Sequence, residues 1–392
     1  MGPLQAADIG PTVLLVSLDG FRWDYFGRAD TPNLDRLIHE GTRAKALIPV
    51  FPSETFPNHY SQVTGLYPEH HGIVSNVMYD PEFDDTFKLG KNEAVTDGRW
   101  WGGEPIWVTA AKQGMKSATY FWPGSEAEIA GHRPTYWKPY NNDVPLSQRV
   151  KQILDWLDLP QEERPALLTL YFSLVDSAGH NFGPDSPQVN EAIAKADHAL
   201  GTLIAGLERR GLLGRIHLLV VSDHGMTPLS PDRVIYLDDY IDLSTVQVVD
   251  WSPNLALRPK PGREEEVHSA LKNAHPHLKV YRREEIPERL HYRAHRRIAP
   301  ILGLADEGWQ IRRKGLIDKA LIQAKKGSHG YDTAFPSMNG IFIGHGPRFE
   351  KGRSVDAFEC VHLYNLMCLI LGLEAAPNDG DVGMAQSILK AD

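Results

Sequence analysis

Aspartate, alone or with histidine, follows three apolar runs of this 392-residue chain. A carboxylate at the end of an apolar strand is costly to desolvate unless a cation or a donor pairs with it. Taken singly, each is better explained by a turn than by a metal site, because aspartate is common in turns. Together they predict a divalent-metal site, since carboxylate and imidazole are both zinc ligands. The runs and the residues after them are 13–18 with Asp19, 170–175 with Asp176 and His180, and 218–222 with Asp223 and His224.

A fourth candidate ligand is His329, which lies between Ser328 and Gly330. Glycines allow the backbone to approach a ligand closely. The histidine precedes an apolar run at residues 341–343. We expect this run to be a core strand that returns His329 to the same crevice as the aspartates.

The apolar runs alternate with longer segments of helical pattern, which predicts an α/β fold with a central, mostly parallel sheet flanked by helices. The carboxyl ends of parallel strands form the ligand crevice in such sheets. Residues 231–327 differ in sequence pattern from the segments on either side and contain a basic stretch. We therefore predict a catalytic core of residues 12–230 and 328–392 with a smaller inserted cap sub-domain between them. The expected strands are 13–16, 167–175, 216–221 and 341–343, and the expected helices are 31–41, 189–209 and 361–371.

Composition limits the partners. The formal net charge is −9, and long nucleic acids are bound mainly by basic surfaces. Apolar runs such as 216–221 are far shorter than the roughly 18 residues that a membrane span needs. We therefore expect that the protein neither binds long nucleic acids nor inserts into a membrane. Cys360 and Cys368 would lie roughly 12 Å apart along a helix, so we expect two free thiols.

The most specific segment is residues 52–72, PSETFPNHYSQVTGLYPEHHG. It closely resembles the nucleotide pyrophosphatase/phosphodiesterases of the alkaline phosphatase superfamily. The resemblance covers the chain from Thr12 onward and implies an alkaline phosphatase-like fold in a minimal bacterial-type catalytic domain. Further matches are residues 101–107, 173–184, 221–226, 291–311 and 328–349.

The resemblance also implies roles for individual residues. Thr55 would be the nucleophile, and Asn76 would donate a hydrogen bond to a phosphoryl oxygen. In a regular strand Tyr171 would face away from Asp176, so both can face the site only if the chain bends between them. The implied sets are one zinc ion held by Asp19, Thr55, Asp223 and His224, a second held by Asp176, His180 and His329, and a nucleotide base held by Phe56, Tyr140 and Tyr171.

The expected enzyme is a two-zinc phosphodiesterase or nucleotide pyrophosphatase acting on small nucleotides. It would release nucleoside 5′-monophosphates through a covalent intermediate on Thr55. The alternatives are a phosphomonoesterase, a diesterase of choline phospholipids, and a metal-binding module without catalysis. One departure is Glu54, where many relatives carry lysine. We expect a periplasmic or secreted protein whose signal segment has been removed, although the sequence does not exclude a cytoplasmic location. The sequence predicts no oligomeric state.

Overall fold

The computed structural model of the protein describes residues 9–390. Its strands are β1 Val13–Leu18, β2 Thr42–Ala44, β3 Leu47–Ile48, β4 Val77–Asp80, β5 Asp85–Lys88, β6 Ser117–Tyr120, β7 Tyr136–Trp137, β8 Leu167–Phe172, β9 His217–Val221, β10 Thr227–Pro228, β11 Val234–Tyr236, β12 Val246–Asp250, β13 Asn254–Pro259, β14 Leu278–Arg282, β15 Ile301–Ala305, β16 Gln310–Arg312, β17 Gly327–Ser328, β18 Phe342–His345, β19 Arg353–Val355 and β20 Phe358–Glu359. Its α-helices are α1 Pro32–Glu40, α2 Thr55–Thr64, α3 Pro68–His71, α4 Asn92–Val95, α5 Ile106–Lys112, α6 Leu146–Leu157, α7 Leu174–Phe182, α8 Pro187–Arg209, α9 Glu264–Leu271, α10 Leu316–Ala324, α11 His362–Leu371 and α12 Val382–Ile388.

The central sheet has eight strands in the order β19-β2-β18-β9-β1-β8-β6-β7. Within the described residues, β18 runs against its neighbours β9 and β2, and the other pairs in this sheet are parallel. The predicted α/β class with a mostly parallel central sheet is confirmed. Strands β1, β8 and β9 are direct neighbours, so the residues that follow them lie together at one edge of the sheet.

Both faces of this sheet are covered. Side chains of β1 alternate between the faces, as the two-residue period of a strand requires. Val13 and Leu15 belong to one apolar cluster, which includes α11, whereas Leu14 and Val16 belong to another, which includes the long helix α8. Helix α8 begins where the sequence favours it, because Pro187 occupies its first turn and Ser186 caps it through Val189 N.

The segment between the two parts of the core carries its own sheet. Strands β12, β13, β15 and β14 form a four-stranded antiparallel sheet with its own apolar cluster. The short strands β10 and β17 pair antiparallel where the chain leaves and re-enters the core. The boundaries 231–327 remain a prediction.

One expected strand is wrong at its end. Strand β8 stops at Phe172, and α7 begins at Leu174, so Asp176 lies in the first turn of a helix instead of at the end of a strand. The break removes the difficulty with Tyr171, because strand alternation no longer relates it to Asp176. Cys360 and Cys368 are both free, as expected. No helix among residues 9–390 is long and apolar enough to cross a membrane.

Candidate active site

Three carboxyl groups meet at the carboxyl edge of the central sheet. Asp19 follows β1 and Asp223 follows β9, and Gly20 N–H donates to Asp223 Oδ1 at 3.1 Å. Asp176 approaches from α7, where its N–H donates to the carbonyl of Asp19 at 3.0 Å. Gly20 has a φ of +69°, and a Cβ there would lie 2.7 Å from the Cα of Asp176. The Asp19–Gly20 turn therefore permits the close approach of the helix that carries Asp176.

The first predicted ligand set is assembled around His224. Its Nε2 lies 3.6 Å from Asp19 Oδ1 and 3.1 Å from Asp223 Oδ2. The hydroxyl oxygen of Thr55 lies 3.3 Å from the same nitrogen. All four members of this set thus meet at one point, although they come from three parts of the chain.

The second predicted set, Asp176, His180 and His329, also converges. His180 Nε2 lies 3.3 Å from Asp176 Oδ1 and 3.1 Å from His329 Nε2. The two sets are adjacent, because the rings of His224 and His329 stack with centroids 3.5 Å apart. The structure thus brings together all seven residues that the sequence analysis proposed as ligands; their roles remain predictions.

Backbone carbonyls fix the orientation of all three predicted histidine ligands. Each Nδ1 lies within hydrogen-bond distance of a carbonyl oxygen, which can only accept, so each Nδ1 carries a proton, and in the neutral imidazole each Nε2 is left with a free lone pair. The nitrogen pair of His180 and His329 at 3.1 Å then has no proton between its atoms, which suits a shared cation. The pairs are His180 with Gly327 at 2.9 Å, His224 with Gly225 at 2.8 Å, and His329 with Ser53 at 2.9 Å.

The carboxyl oxygens of the site lack partners. Among the described groups, nothing donates a hydrogen bond to the buried atoms Asp19 Oδ1, Asp176 Oδ1 or Asp223 Oδ2. Buried polar atoms are rarely left in this way. One such oxygen from each aspartate, turned toward three imidazole lone pairs, fits a site for divalent cations, and the donor types fit zinc.

The electrostatics support the same reading. Burial raises the pKa of Asp19 well above its usual range, and the carboxylates of Asp223 and Asp176 raise it further. Burial, followed by the neighbouring His224 and His180, holds the pKa of His329 well below its usual range. The protein thus gathers carboxylates that repel one another beside an imidazole kept neutral, an arrangement that a bound cation would stabilise.

Thr55 is the first residue of α2, and Glu54 is its N-cap. The N–H of Phe56 donates to Asn76 Oδ1 at 2.9 Å. Because this bond occupies the oxygen of the Asn76 side chain, its NH₂ group is left to donate toward the cleft.

The cleft beside Thr55 has a volume of about 420 Å³. The three aromatic residues proposed for the base line it, but not alike. Tyr140 is half exposed, and its ring lies 6.1 Å from that of Tyr171. Tyr171 is buried, and its hydroxyl donates to Asp19 Oδ2 at 2.5 Å, so it contacts a predicted metal ligand directly. Sequence reasoning missed several further lining residues: Leu89, Asn92, Val95, Phe121, Trp122, Pro123 and Glu126.

His59 is fully buried, and it contacts the backbone of Thr55. Its Nδ1 donates to the carbonyl of Thr55 at 2.9 Å and lies 3.3 Å from Asp223 Oδ2. Its Nε2 accepts from Ser17 Oγ at 2.8 Å. His59 therefore links the backbone of Thr55 to a predicted ligand, and its sequence signal is its place in the run Pro57-Asn58-His59.

Glu54 turns away from solvent. Its Oε2 accepts from Asn76 N–H at 2.7 Å and lies 3.0 Å from Ser75 Oγ. The same hydroxyl lies 3.0 Å from Asp250 Oδ2. Burial raises the pKa of Asp250 to about 7, and the nearby Glu54 adds to the shift. Two carboxyl groups thus lie side by side next to Thr55.

Comparison with known proteins agrees with this geometry. The sequence profile described as "Type I phosphodiesterase / nucleotide pyrophosphatase" matches residues 13–332. The chain belongs to this family. The family assignment predicted from the sequence is confirmed, and with it an enzyme family of hydrolases.

Two curated relatives illustrate the range of the family. Human ectonucleotide pyrophosphatase/phosphodiesterase family member 5 is 41% identical over 379 residues, which cover 97% of this chain and 78% of that protein. Venom phosphodiesterase 2 of Crotalus adamanteus is 40% identical over 96% of this chain, which spans 47% of the venom protein. The chain thus spans most of the first relative and about half of the second.

Solved structures share the fold. Murine family member 5, as an inactive threonine-to-alanine variant in complex with AMP, superposes with a TM-score of 0.93 at 41% identity, covering 97% of this chain and 100% of that one. Human family member 5 superposes with a TM-score of 0.92 at 40% identity and the same coverage of both chains. The alkaline phosphatase-like fold is therefore established.

Proposed function

We propose that this family member is a two-zinc phosphodiesterase and nucleotide pyrophosphatase that releases nucleoside 5′-monophosphates. The observation that carries the proposal is the convergence of two ligand sets beside one cleft, with the hydroxyl of Thr55, at a helix N-terminus, 3.3 Å from His224 Nε2. The description of the family as type I phosphodiesterases and nucleotide pyrophosphatases and the AMP complex of the murine relative support the same substrate class.

Thr55 would act as the nucleophile. One zinc ion would be held by Asp19, Thr55, Asp223 and His224, and the other by Asp176, His180 and His329. Bound zinc ions supply Lewis acidity, which lowers the pKa of a coordinated hydroxyl and neutralises charge on phosphoryl oxygens. The orphaned carboxyl oxygens and the fixed histidine tautomers support this assignment.

The residues of the chain would divide the reaction into two displacements. Thr55 Oγ forms a bond to phosphorus, its proton passes to solvent, and the P–O bond to the leaving group breaks with its electron pair on the departing oxygen. Water then forms a bond to phosphorus, the bond between phosphorus and Thr55 Oγ breaks, a proton of the water passes to Thr55 Oγ, and the nucleoside 5′-monophosphate is released. Asn76 donates to a non-bridging oxygen in both steps, and one such donor contributes about 3 kcal/mol in a transition state.

The substrate preference distinguishes this proposal from its alternatives. We would compare the hydrolysis of p-nitrophenyl thymidine monophosphate, p-nitrophenyl phosphate and p-nitrophenyl phosphorylcholine, with zinc and with EDTA. The proposal predicts a zinc-dependent preference for the thymidine diester. A preference for p-nitrophenyl phosphate would make the protein a phosphomonoesterase, and a preference for the choline ester would make it a lipid-type diesterase. Stoichiometric zinc without any turnover would favour a binding module.

We further propose that residues 231–327 form a cap sub-domain and that the protein works outside the cytoplasm, in the periplasm or secreted. The separate sheet and apolar cluster of that segment support the first proposal. The relatives, which are named as an ectonucleotide pyrophosphatase/phosphodiesterase and a venom phosphodiesterase, support the second. Fractionation of the source cells would test the location: activity confined to the cytoplasm would contradict it.

A further inference from the structure

The residues that line the cleft divide by chemistry into two sets, which we call the aromatic arm and the carboxyl arm. The aromatic arm contains Phe56, Phe121, Trp122 and Tyr140. The carboxyl arm contains Glu54, Asp250, Ser252 and Lys325. Glu54 and Phe56 flank Thr55 in the chain but have different surroundings, because Phe56 packs against Phe87 and Trp101, whereas Glu54 lies against the turn of the inserted segment.

The carboxyl arm is held in place from both sides. A Cβ on Gly330 would lie 3.0 Å from Pro253 Cδ and 3.4 Å from Glu54 Cγ. Asn254 Nδ2 donates to the carbonyl of Gly330 at 2.6 Å. The turn between β12 and β13 is thus tied to the loop that carries His329, and this contact places Asp250 at the cleft.

Hydrogen-bond capacity remains in this arm. Ser75 Oγ lies 3.0 Å from both Glu54 Oε2 and Asp250 Oδ2, but a hydroxyl has one proton and can donate to only one of them. The other carboxyl oxygen can accept a further donor. Among the described residues that line the cleft, Lys325 is the one lysine or arginine, and the two carboxyl groups of the carboxyl arm outnumber it. The arm therefore suits a group that is neutral or cationic and carries donors.

Building on the proposed function, we propose that the carboxyl arm is the leaving-group subsite and that Glu54 and Asp250 determine its specificity. With the base in the aromatic arm and the phosphorus at Thr55, the carboxyl arm is what remains for the leaving group. The favoured substrates are nucleotide diesters whose leaving group is an uncharged or cationic alcohol, such as an amino alcohol or a sugar hydroxyl. Nucleoside triphosphates are disfavoured, because their leaving pyrophosphate would meet two carboxyl groups and one lysine.

The test uses three esters of adenosine 5′-monophosphate whose leaving groups carry their end group on the same two-carbon linker: 2-aminoethyl, 2-hydroxyethyl and 2-carboxyethyl. Each is measured at pH 8 as a competitor of p-nitrophenyl thymidine monophosphate hydrolysis and then as a substrate. We expect the aminoethyl ester to bind about tenfold more tightly than the carboxyethyl ester, a typical effect of charge complementarity in a partly buried site. Glu54→Gln and Asp250→Asn should each reduce that ratio severalfold.

Glu126→Gln is the matched control, because Glu126 is a carboxyl group of the same cleft that contacts Tyr140 of the aromatic arm. It should leave the ratio between the esters unchanged. Zinc content and the unfolding midpoint of every variant verify that it is folded. The wild-type ratio tests the inference even if a variant fails to fold.

Two failures are distinguishable. If the wild-type enzyme hydrolyses p-nitrophenyl thymidine monophosphate but binds the three esters equally, or prefers the carboxyethyl ester, the inference is overturned and the proposed function stands. If it does not hydrolyse the thymidine diester at all, the proposed function falls and the inference with it.

Discussion

Replacing Tyr171 with phenylalanine should weaken zinc binding without disturbing the packing of the neighbouring aromatic rings. The substitution keeps the ring, which lies 5.4 Å from His59 and 6.1 Å from Tyr140 between centroids. It removes only the hydroxyl that donates to Asp19 Oδ2 at 2.5 Å. A hydrogen bond to a charged group contributes about 1.5–3 kcal/mol, and loss of such a partner of a metal ligand typically costs about 10–100-fold in affinity or activity. We therefore expect zinc affinity to fall by about 10–100-fold.

The loss should be larger in acid. Burial raises the pKa of Asp19, and the bond from Tyr171 partly counteracts that shift. Without the hydroxyl, the carboxyl group holds its proton to higher pH and the proton competes better with the metal. Zinc affinity would be measured by titration against a competing chelator at pH 6 and pH 8.5, with Tyr140→Phe as the control, because Tyr140 does not contact a predicted ligand. Wild-type affinity of Tyr171→Phe at both pH values would refute the reasoning.

Two further predictions concern residues outside the predicted ligand sets. His59→Phe keeps a ring of similar size but removes the hydrogen bonds to Ser17 and Thr55. We therefore expect the free energy of unfolding of the zinc-saturated protein, measured with denaturant, to fall by about 2–4 kcal/mol. An unchanged unfolding midpoint would contradict the linking role of His59. Asp80→Asn should cost about 3 kcal/mol at pH 7, because it leaves the buried Arg297 without its carboxylate. Burial opposes ionisation, but the bonds from the arginines hold the pKa of Asp80 below its usual value, so the difference between variant and wild type should shrink as the pH falls below about 4. A pH-independent difference in unfolding free energy would refute this account of Asp80.

The sequence predicted the architecture well where local pattern determines it. Strands β1 and β9 are short apolar runs buried on both faces, which is how parallel strands read in a sequence. Asp19 and Asp223 follow them directly, so their meeting at one sheet edge could be inferred before the structure. The end of β8 could not be inferred, because the apolar residues 170–175 are compatible both with a strand and with the first turn of a helix.

The parts of the site that were missed depend on distant contacts. His59 meets Ser17 across 42 residues of sequence, and Ser75 meets Asp250 across 175. No local period or motif encodes such pairs. The sequence marks Glu54 only as a departure from relatives. Its neighbour Asp250 lies in the inserted segment, and only the folded structure brings it against the core. The contact of the Tyr171 hydroxyl with Asp19 likewise could not be predicted without the end of the strand at Phe172.

The most direct test of the central claim is the comparison of wild type with Thr55→Ala and Thr55→Ser. Each would be assayed with p-nitrophenyl thymidine monophosphate, and its zinc content would be measured by elemental analysis. We predict that Thr55→Ala loses turnover by at least about 10³-fold and keeps nearly all its zinc, because six of the seven predicted ligands remain, and that Thr55→Ser retains part of the activity. Wild-type turnover by Thr55→Ala, or loss of turnover only through loss of zinc and fold, would contradict the account.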